Sequence, residues 1–121
     1  MLKVTKLSDI KHDKHEVDAT GIVLGQLASK VAGLLTGKSK PYFVRNMDCG
    51  DFVTVKNYKA VKITGKKMDK KIYTRYSGFP GGIRKTAMKD VNPLEVVRHA
   101  VAGMLPNNKL KDIWLARLKF E

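Results

Sequence analysis

The sequence predicts an α/β domain in which helices cover a mainly parallel sheet. Strand-like and helix-like segments alternate through the first half of the chain, as they do in layered α/β folds. With 121 residues, of which 43% are hydrophobic, the chain is large enough for one core and too apolar for wholesale disorder. We therefore expect an N-terminal arm over residues 1–15 and a single domain over residues 16–121.

Four elements are predicted in the first half of the domain. Residues 16–20 form a short strand candidate that is closed by a Thr-Gly turn. Leucine, valine and alanine residues then recur at helical spacing and predict a helix over residues 24–36, with Gly37 as its left-handed cap. The β-branched residues of 51–56 and 60–64 predict two buried strands.

A further strand candidate and a clear helix start follow. Residues 72–76 predict a strand or ribbon before a glycine-rich loop. Asn92 is a capping residue, Pro93 suits the first helical position, and Glu95 can reach back to the amide of the cap. This helix should end at Pro106, because proline prevents continuation. Its inward-facing residues are predicted to be Leu94, Val97, Val101 and Met104.

A last helix is predicted after that proline. Asn107 or Asn108 can cap it, because an asparagine side chain accepts a hydrogen bond from a helix amide. Apolar residues at helical spacing then share one face of the helix, which we expect to be buried. These residues are Leu110, Ile113, Trp114 and Leu118.

The positive charge of the chain is concentrated in one segment. The net charge is +13, and the stretch from Lys56 to Lys85 holds ten cations but one anion, Asp69. Like charges packed so closely repel one another, and a polyanion that releases its counterions on contact relieves that repulsion. A lysine-rich surface can also serve solubility alone, but solubility does not require one sign of charge to be segregated. Nucleic acid is therefore the leading candidate partner.

The segment 33–39 resembles a phosphate-binding loop, but two features contradict that reading. The motif requires glycine where Ala32 stands, and its loop opens a helix after a strand, whereas these residues close a helix. We interpret the segment as the C-cap of the helix over residues 24–36. Lys38 and Lys40 remain available there as cations.

The other polar residues are interpreted as structural. Asp48 and Asp51 flank Cys49 and Gly50 before a strand, where a turn whose carboxylates bond local amides is expected, and Asp18 is read in the same way. No Cys/His cluster has zinc-ligand spacing, and the single cysteine cannot form an internal disulfide. We predict no catalytic residue, no metal site and no cofactor. The histidines, all separated from any nucleophile, are His12, His15 and His99.

The stretch 66–85 combines three properties of RNA-binding loops. Its lysines can follow a phosphate track and its arginines can grip phosphates in a bidentate manner. Tyr73, Tyr76 and Phe79 offer flat faces for unstacked bases, although the two tyrosines could equally be half-buried strand residues. Glycines allow close approach of the backbone. The cations are Lys66, Lys67, Lys70, Lys71, Arg75, Arg84 and Lys85, and the glycines are Gly78, Gly81 and Gly82.

Six short motifs, in their order and spacing, make the chain similar to one known family. They are Val-Asp-Ala-Thr-Gly at 17–21, Leu-Gly-Gln-Leu-Ala at 24–28, Gly-Asp-Phe-Val at 50–53, Val-Lys-Ile-Thr-Gly-Lys at 61–66, Tyr-Ser-Gly-Phe-Pro-Gly-Gly at 76–82 and Gly-Met-Leu-Pro at 103–106. Together they resemble the bacterial-type large ribosomal subunit protein thirteen family, over residues 15–120.

The resemblance implies a three-layer α/β/α fold around a four-stranded, mainly parallel sheet, with basic loop extensions. It also implies a structural protein without catalytic activity that binds large-subunit ribosomal RNA and aids subunit assembly. The matching RNA-binding positions are Lys66, Lys67, Tyr76, Ser77, Gly78, Gly81, Gly82 and Arg84, with Lys38, Lys40 and Arg45 near the family's second basic loop.

The implied partners are large-subunit ribosomal RNA and neighbouring large-subunit proteins, with no membrane and no small-molecule substrate. We expect a cytoplasmic, ribosome-bound protein, and the sequence fits a bacterial or an organellar ribosome. An RNA-binding translational regulator outside the ribosome is the alternative. The sequence stops before the tyrosine-glycine and His-Pro-His tail of the family, so contacts of that tail are expected to be absent or supplied by neighbours.

Overall fold

Nine helices and strands make up the part of the chain that the computed structural model describes, residues 6–121. Short 3-10 turns at Leu7–Asp9, Tyr58–Ala60 and Met88–Asp90 lie between them. In chain order the elements are β1 (Lys14–Asp18), α1 (Leu24–Thr36), β2 (Phe52–Lys56), α2 (Lys67–Lys70), β3 (Ile72–Tyr76), β4 (Ile83–Ala87), α3 (Pro93–Met104), α4 (Leu110–Ala116) and β5 (Leu118–Phe120).

The core sheet has three parallel strands in the order β1-β2-β5. Its central strand buries Val53 and Val55 completely, and Val55 lies beside Val17 of β1 and Phe120 of β5. Alternate residues of β2 face α1, since successive strand side chains point to opposite faces. This arrangement confirms the prediction of a small α/β domain with a mainly parallel sheet.

The predicted strand over residues 60–64 is absent from the described sheet. The chain instead turns at Asn57, which has a φ of 57°, passes through the 3-10 turn, and makes one parallel bridge between Lys62 and Val23. Lys62 donates to the Ile22 carbonyl at 2.9 Å and accepts from the Leu24 amide at 3.0 Å. These bonds end where Gly65 turns the chain again, so the segment is too short to form a strand there.

The third strand, β5, occupies residues that the sequence assigned to the last helix. Leu118 was expected on the face of that helix, but it lies in β5 and pairs with Val53. The Glu121 amide donates to the Val55 carbonyl at 2.8 Å and extends the ladder. Helix α4 therefore ends at Ala116, because the chain must straighten to reach the open edge of β2.

Helix α1 has the predicted bounds. Leu27, Val31 and Leu35 are fully buried and face the sheet and α3. Gly37 follows in the left-handed conformation, with a φ of 78°, and its amide donates to the Gly33 carbonyl at 3.1 Å. The interpretation of segment 33–39 as a helix C-cap is therefore confirmed.

Helix α3 begins as predicted, but the residues that it buries are not the same set as those predicted to face inward. The Asn92 carboxamide oxygen accepts a hydrogen bond from the Leu94 amide at 3.1 Å. Val97 and Val101 are buried as expected, and Val96 is buried as well. Met104 is 46% exposed, so its predicted place in the core is wrong. Helix α3 crosses α1 there, and Met104 lies at the rim, where its sulfur accepts from the Ser29 hydroxyl at 3.2 Å.

Helix α4 is capped by Asn108, whose side chain accepts from the Leu110 amide at 3.0 Å. Trp114 is buried, but Ile113 is 45% exposed, which contradicts its predicted inward position. A helix of seven residues presents only a narrow face to the body, and that face consists of Trp114 with the partly buried Leu110 and Leu115.

The predicted arm is only partly described, because residues 1–5 lie outside the described residues. Strand β1 starts at Lys14, two residues before the predicted start of the domain, and the boundary at residue 16 stays a prediction. The Lys11 amide donates to the Tyr42 hydroxyl at 3.2 Å, and the Phe52 amide donates to the Asp13 carbonyl at 2.9 Å. This part of the arm therefore lies against the loop between α1 and β2.

None of the helices within residues 6–121 combines the length and the hydrophobicity that a membrane crossing requires.

Candidate nucleic-acid interface

The strands β3 and β4 form an antiparallel hairpin outside the core sheet. Residues 77–82 close it tightly: the Ser77 amide donates to the Gly82 carbonyl at 3.2 Å, and the Gly82 amide donates to the Phe79 carbonyl at 2.9 Å. Gly78 and Gly81 have φ angles of 90° and 75°, which residues with a Cβ rarely adopt. The loop thus presents Phe79, 73% exposed, at its tip.

The two faces of the hairpin carry different chemistry. In an antiparallel pair, residues directly opposite each other lie on the same face. Arg75 lies opposite Arg84, and both share a face with Tyr73. On the other face Tyr76 lies opposite Ile83, and both are more than half exposed. Strand β4 was not predicted, because its Arg-Lys-Thr sequence lacks an apolar alternation and depends on pairing with β3.

The lysines before the hairpin lie on and around α2. Lys66, Lys67, Lys70 and Lys71 are all exposed. The Lys70 amide donates to the Lys66 carbonyl at 3.0 Å, which forms the turn, and the Met88 amide donates to the Lys71 carbonyl at 2.9 Å, which ties it to the end of β4. We call residues 66–85 the hairpin surface. The lysines around α2 therefore lie beside the hairpin on the exposed surface.

The cations of the hairpin surface lack carboxylate partners among the described residues. The ion pairs found in residues 6–121 lie around the core sheet, where Lys56 pairs with Glu16 at 3.0 Å and His15 pairs with Asp51 at 2.7 Å. No described carboxylate comes within ion-pairing distance of a cation in residues 66–85. The repulsion inferred from the sequence therefore remains uncompensated in the folded chain.

The sequence left open whether Tyr73 and Tyr76 are exposed faces for bases or half-buried strand residues, and the structure shows that the two differ. Tyr73 is partly buried, which raises the pKa of its hydroxyl, and its ring meets His99 of α3 edge-on at 4.9 Å. The Lys71 ammonium lies 5.7 Å from the centre of the Tyr73 ring. Tyr76 is 59% exposed and makes no such ring contact. Tyr76 is thus the tyrosine whose ring is open to solvent.

The second predicted basic group lies elsewhere. Lys38 and Arg45 are exposed on the loop that follows the C-terminus of α1, whereas Lys62 and the hairpin surface follow the bridge at its N-terminus. A helix of thirteen residues is about 20 Å long. The structure therefore does not bring this group together with the hairpin surface.

Lys40 was expected to contact phosphate together with Lys38 and Arg45, but unlike them it is largely buried and its ammonium already has a partner. Its ammonium forms an ion pair with Asp51 and donates to the Lys11 carbonyl, and only 11% of its side chain is exposed. Burial alone would lower the pKa of Lys40, but the bond to Asp51 raises it above its usual value. Lys40 therefore ties its loop to the arm.

Asp48 and Asp51 are interpreted as structural. Asp48 accepts from the local Gly50 amide at 3.4 Å, as predicted, whereas the partners of Asp51 are distant in sequence. Asp51 accepts from the Asp13 amide at 3.0 Å, from His15 Nε2 at 2.7 Å and from Lys40. Burial alone would raise the pKa of Asp51, yet these three hydrogen bonds lower it. Only tertiary structure brings the three partners together, so the local pattern could not reveal them.

Asp48 plays a corresponding part for the last elements. It forms an ion pair with Arg117 and accepts from Trp114 Nε1 at 3.1 Å. Asp18, in contrast, behaves as predicted: it accepts from the Thr20 amide at 3.0 Å and the Thr20 hydroxyl at 2.7 Å, and both bonds lower its pKa. No group of three or more His, Cys, Asp or Glu in residues 6–121 is placed to hold a metal ion.

Comparison with known proteins identifies the family. The sequence model of the family described as ribosomal protein L13 matches residues 12–120. This chain belongs to the ribosomal protein L13 family. The resemblance carried by the six motifs is confirmed, and the ribosomal protein L13 match spans the core sheet, the helices and the hairpin surface.

Curated relatives agree with this assignment. The chain is 53% identical over 117 residues to large ribosomal subunit protein uL13 of Dehalococcoides mccartyi strain ATCC BAA-2266, covering 94% of this chain and 82% of that protein. It is 45% identical over 120 residues to the uL13 of Trichlorobacter lovleyi, covering 97% of this chain and 84% of that protein. It is 41% identical over 119 residues to the uL13 of Clostridioides difficile strain 630, covering 96% of this chain and 83% of that protein.

Proposed function

We propose that this chain is a structural component of the large ribosomal subunit that binds large-subunit ribosomal RNA through its hairpin surface. Membership of the ribosomal protein L13 family supports the assignment, and the named relatives are ribosomal proteins rather than enzymes. The observation that carries the RNA contact is the run of exposed cations in residues 66–85 without described carboxylate partners.

The mechanism is charge neutralisation combined with shape. Exposed lysines around α2 replace the counterions of the RNA backbone, so that RNA helices which repel each other can be held together. Arginines supply planar donors that match phosphate oxygens. The tight loop brings backbone amides near the RNA, and Tyr76 and Phe79 offer faces for unstacked bases. The proposed contacts are Lys66, Lys67, Lys70, Lys71, Arg75, Tyr76, Ser77, Gly78, Gly81, Gly82, Arg84 and Lys85.

A second, smaller contact is proposed at the far end of α1. Lys38 and Arg45 are exposed there and carry no described ion pair. Lys40 is proposed to hold their loop in place, since Asp51 already occupies its ammonium. Two separated contacts would let one rigid body join two RNA segments about 20 Å apart.

The finer family architecture is also a proposal. In a three-layer α/β/α fold around four strands, the isolated bridge between Lys62 and Val23 marks the edge of the sheet at which a fourth strand would pair. The arm over residues 1–15 is proposed to contact neighbouring large-subunit proteins, and the chain to be cytoplasmic and ribosome-bound.

The test is a charge reversal with a matched control. A variant with glutamate at Lys66, Lys67, Lys70 and Lys71 should bind a large-subunit ribosomal RNA transcript at least tenfold more weakly in a filter-binding assay, with thermal unfolding nearly unchanged. The control reverses four exposed lysines elsewhere, Lys14, Lys30, Lys109 and Lys119. Equal losses in both variants would refute the placement of the RNA face.

Co-sedimentation separates the two functional hypotheses. A ribosomal component should remain with large subunits through a high-salt wash. A translational regulator that acts outside the ribosome should be released by that wash.

A further inference from the structure

A cleft lies between the hairpin and helix α3. The face of the hairpin that carries Tyr73, Arg75 and Arg84 forms one side, and Glu95 and His99 of α3 form the other. Its volume is about 330 Å³. Glu95 and His99 are four residues apart on α3 and therefore share one helix face, which is the signal in the sequence that could have placed them together.

The two arginines give the cleft an unusual charge arrangement. Arg75 and Arg84 are direct cross-strand partners, and like charges placed directly opposite each other destabilise a hairpin. Within residues 6–121 no carboxylate forms an ion pair with either guanidinium, although Glu95 lines the same cleft. An anion bound between the guanidinium groups would remove the repulsion and satisfy their planar donors.

The aromatic wall of the cleft is held in place. Tyr73 is half-buried and meets the His99 ring edge-on at 4.9 Å, so neither ring can turn without losing that contact. His99 is itself exposed and lines the cleft. Single-stranded RNA is recognised by stacking of unstacked bases on such rings, histidine included.

We propose that this cleft holds one unstacked nucleotide of the large-subunit ribosomal RNA. Arg75 and Arg84 bind its phosphate, and its base lies against the wall formed by His99 and Tyr73. A cleft of about 330 Å³ is at the small end of the range of roughly 300–1,000 Å³ for ligand pockets, which suits a single nucleotide. This inference rests on the proposed function, because it specifies how part of the hairpin surface engages RNA.

Glu95 provides a test in which a substitution should strengthen RNA binding, whereas the loss of a contact would weaken it. Glu95 lines the cleft, so its negative charge lies near the arginines and should repel a phosphate that enters. Glu95→Gln should therefore bind the transcript several-fold more tightly than the wild type. Asp112→Asn is the matched control, because Asp112 is also an exposed acid in the first turn of its helix, α4.

Ultraviolet cross-linking of the full chain to a large-subunit ribosomal RNA transcript, with mass spectrometry, locates the nucleotide. A cross-link at Tyr73 or His99 is expected, and it should disappear in Arg75→Ala/Arg84→Ala but persist in Lys109→Ala/Lys119→Ala, which removes two exposed lysines outside the hairpin surface. Loss of the arginine repulsion should leave the thermal unfolding of the arginine variant no lower than that of the wild type.

Two results would overturn the inference while the proposed function stands. One is tight binding of the transcript with cross-links at Tyr76 or Phe79 but none at Tyr73 or His99. The other is an effect of Glu95→Gln no larger than that of Asp112→Asn. Failure of the wild-type chain to bind the transcript, measured before any cross-linking, would instead remove the proposed function itself.

Discussion

Arg75 lies directly opposite Arg84 on one face of the hairpin, and no described carboxylate pairs with either. Cross-strand pairs of like charge destabilise a sheet, whereas opposite charges stabilise it. The hairpin therefore gives up some stability at the place where it is proposed to meet a polyanion.

The first prediction is that Arg84→Glu changes stability and binding in opposite directions. Pairing the new carboxylate with Arg75 should stabilise the hairpin by roughly 0.2–1 kcal/mol. Native-state hydrogen exchange of the β3 and β4 amides measures this gain, and filter binding should show weaker binding of ribosomal RNA. Lys85→Glu is the control, because it makes the same charge change opposite Thr74. Slower exchange in both variants would contradict the pairing argument.

The second prediction separates loop shape from charge. A Cβ added at Gly82 would collide with the Ser77 hydroxyl and lie 2.9 Å from the Phe79 carbonyl oxygen. Gly82→Ala should therefore distort the loop and weaken RNA binding, while the slope of log affinity against log salt stays unchanged because no cation is lost. Affinities measured over a salt series test both statements.

Gly103→Ala is the control for that experiment, since a Cβ at Gly103 of α3 would meet no atom within 4 Å. It should leave binding unchanged and stabilise the helix by up to about 1 kcal/mol. Unaltered RNA binding by Gly82→Ala would show that the loop does not act through its shape.

The third prediction concerns the acid stability of the arm contact. In the folded chain the pKa of Asp51 lies below its ordinary value of 3.8, so its stabilisation is present above that pH and is lost as the pH falls through the folded-state pKa. Asp51→Asn should therefore flatten the loss of stability below pH 3.8 in urea unfolding curves. An acid response identical to that of the wild type would count against this assignment.

The fourth prediction concerns the same pair at neutral pH. Asp51→Asn leaves the ammonium of Lys40, only 11% exposed, without its carboxylate, which should cost about 3 kcal/mol. Lys40→Met added to Asp51→Asn should restore much of that loss, because replacing both members of a buried ion pair is often nearly neutral. A double variant no more stable than the single one in urea unfolding would contradict this reasoning.

The elements that could be predicted are those whose signals are local. The leucine and valine spacing of α1, the glycine cap at Gly37 and the Asn92 cap of α3 each depend on neighbouring residues. Strand β5 could not be found in this way, because three residues show no period and their pairing partner, Val53, lies 65 positions earlier. The predicted strand over residues 60–64 failed for a related reason, since the turns at Asn57 and Gly65 limit it.

The candidate site shows the same division. The concentration of cations in residues 66–85 and the glycines that can adopt positive φ could be read from the sequence. The capture of Lys40 by Asp51, the opposition of Arg75 and Arg84, and the approach of His99 to Tyr73 did not, because each depends on tertiary geometry or strand register.

The core sheet also sets an order of events when the chain folds. Its central strand needs β1, 38 positions earlier, and β5, 65 positions later, so two long loops must close before the sheet is complete. The hairpin joins strands only a few residues apart and can form sooner. We expect pulse-labelled refolding to protect the amides of β3 and β4 ahead of those of Val53 and Val55, so that the hairpin proposed to bind RNA forms while the core sheet is still incomplete.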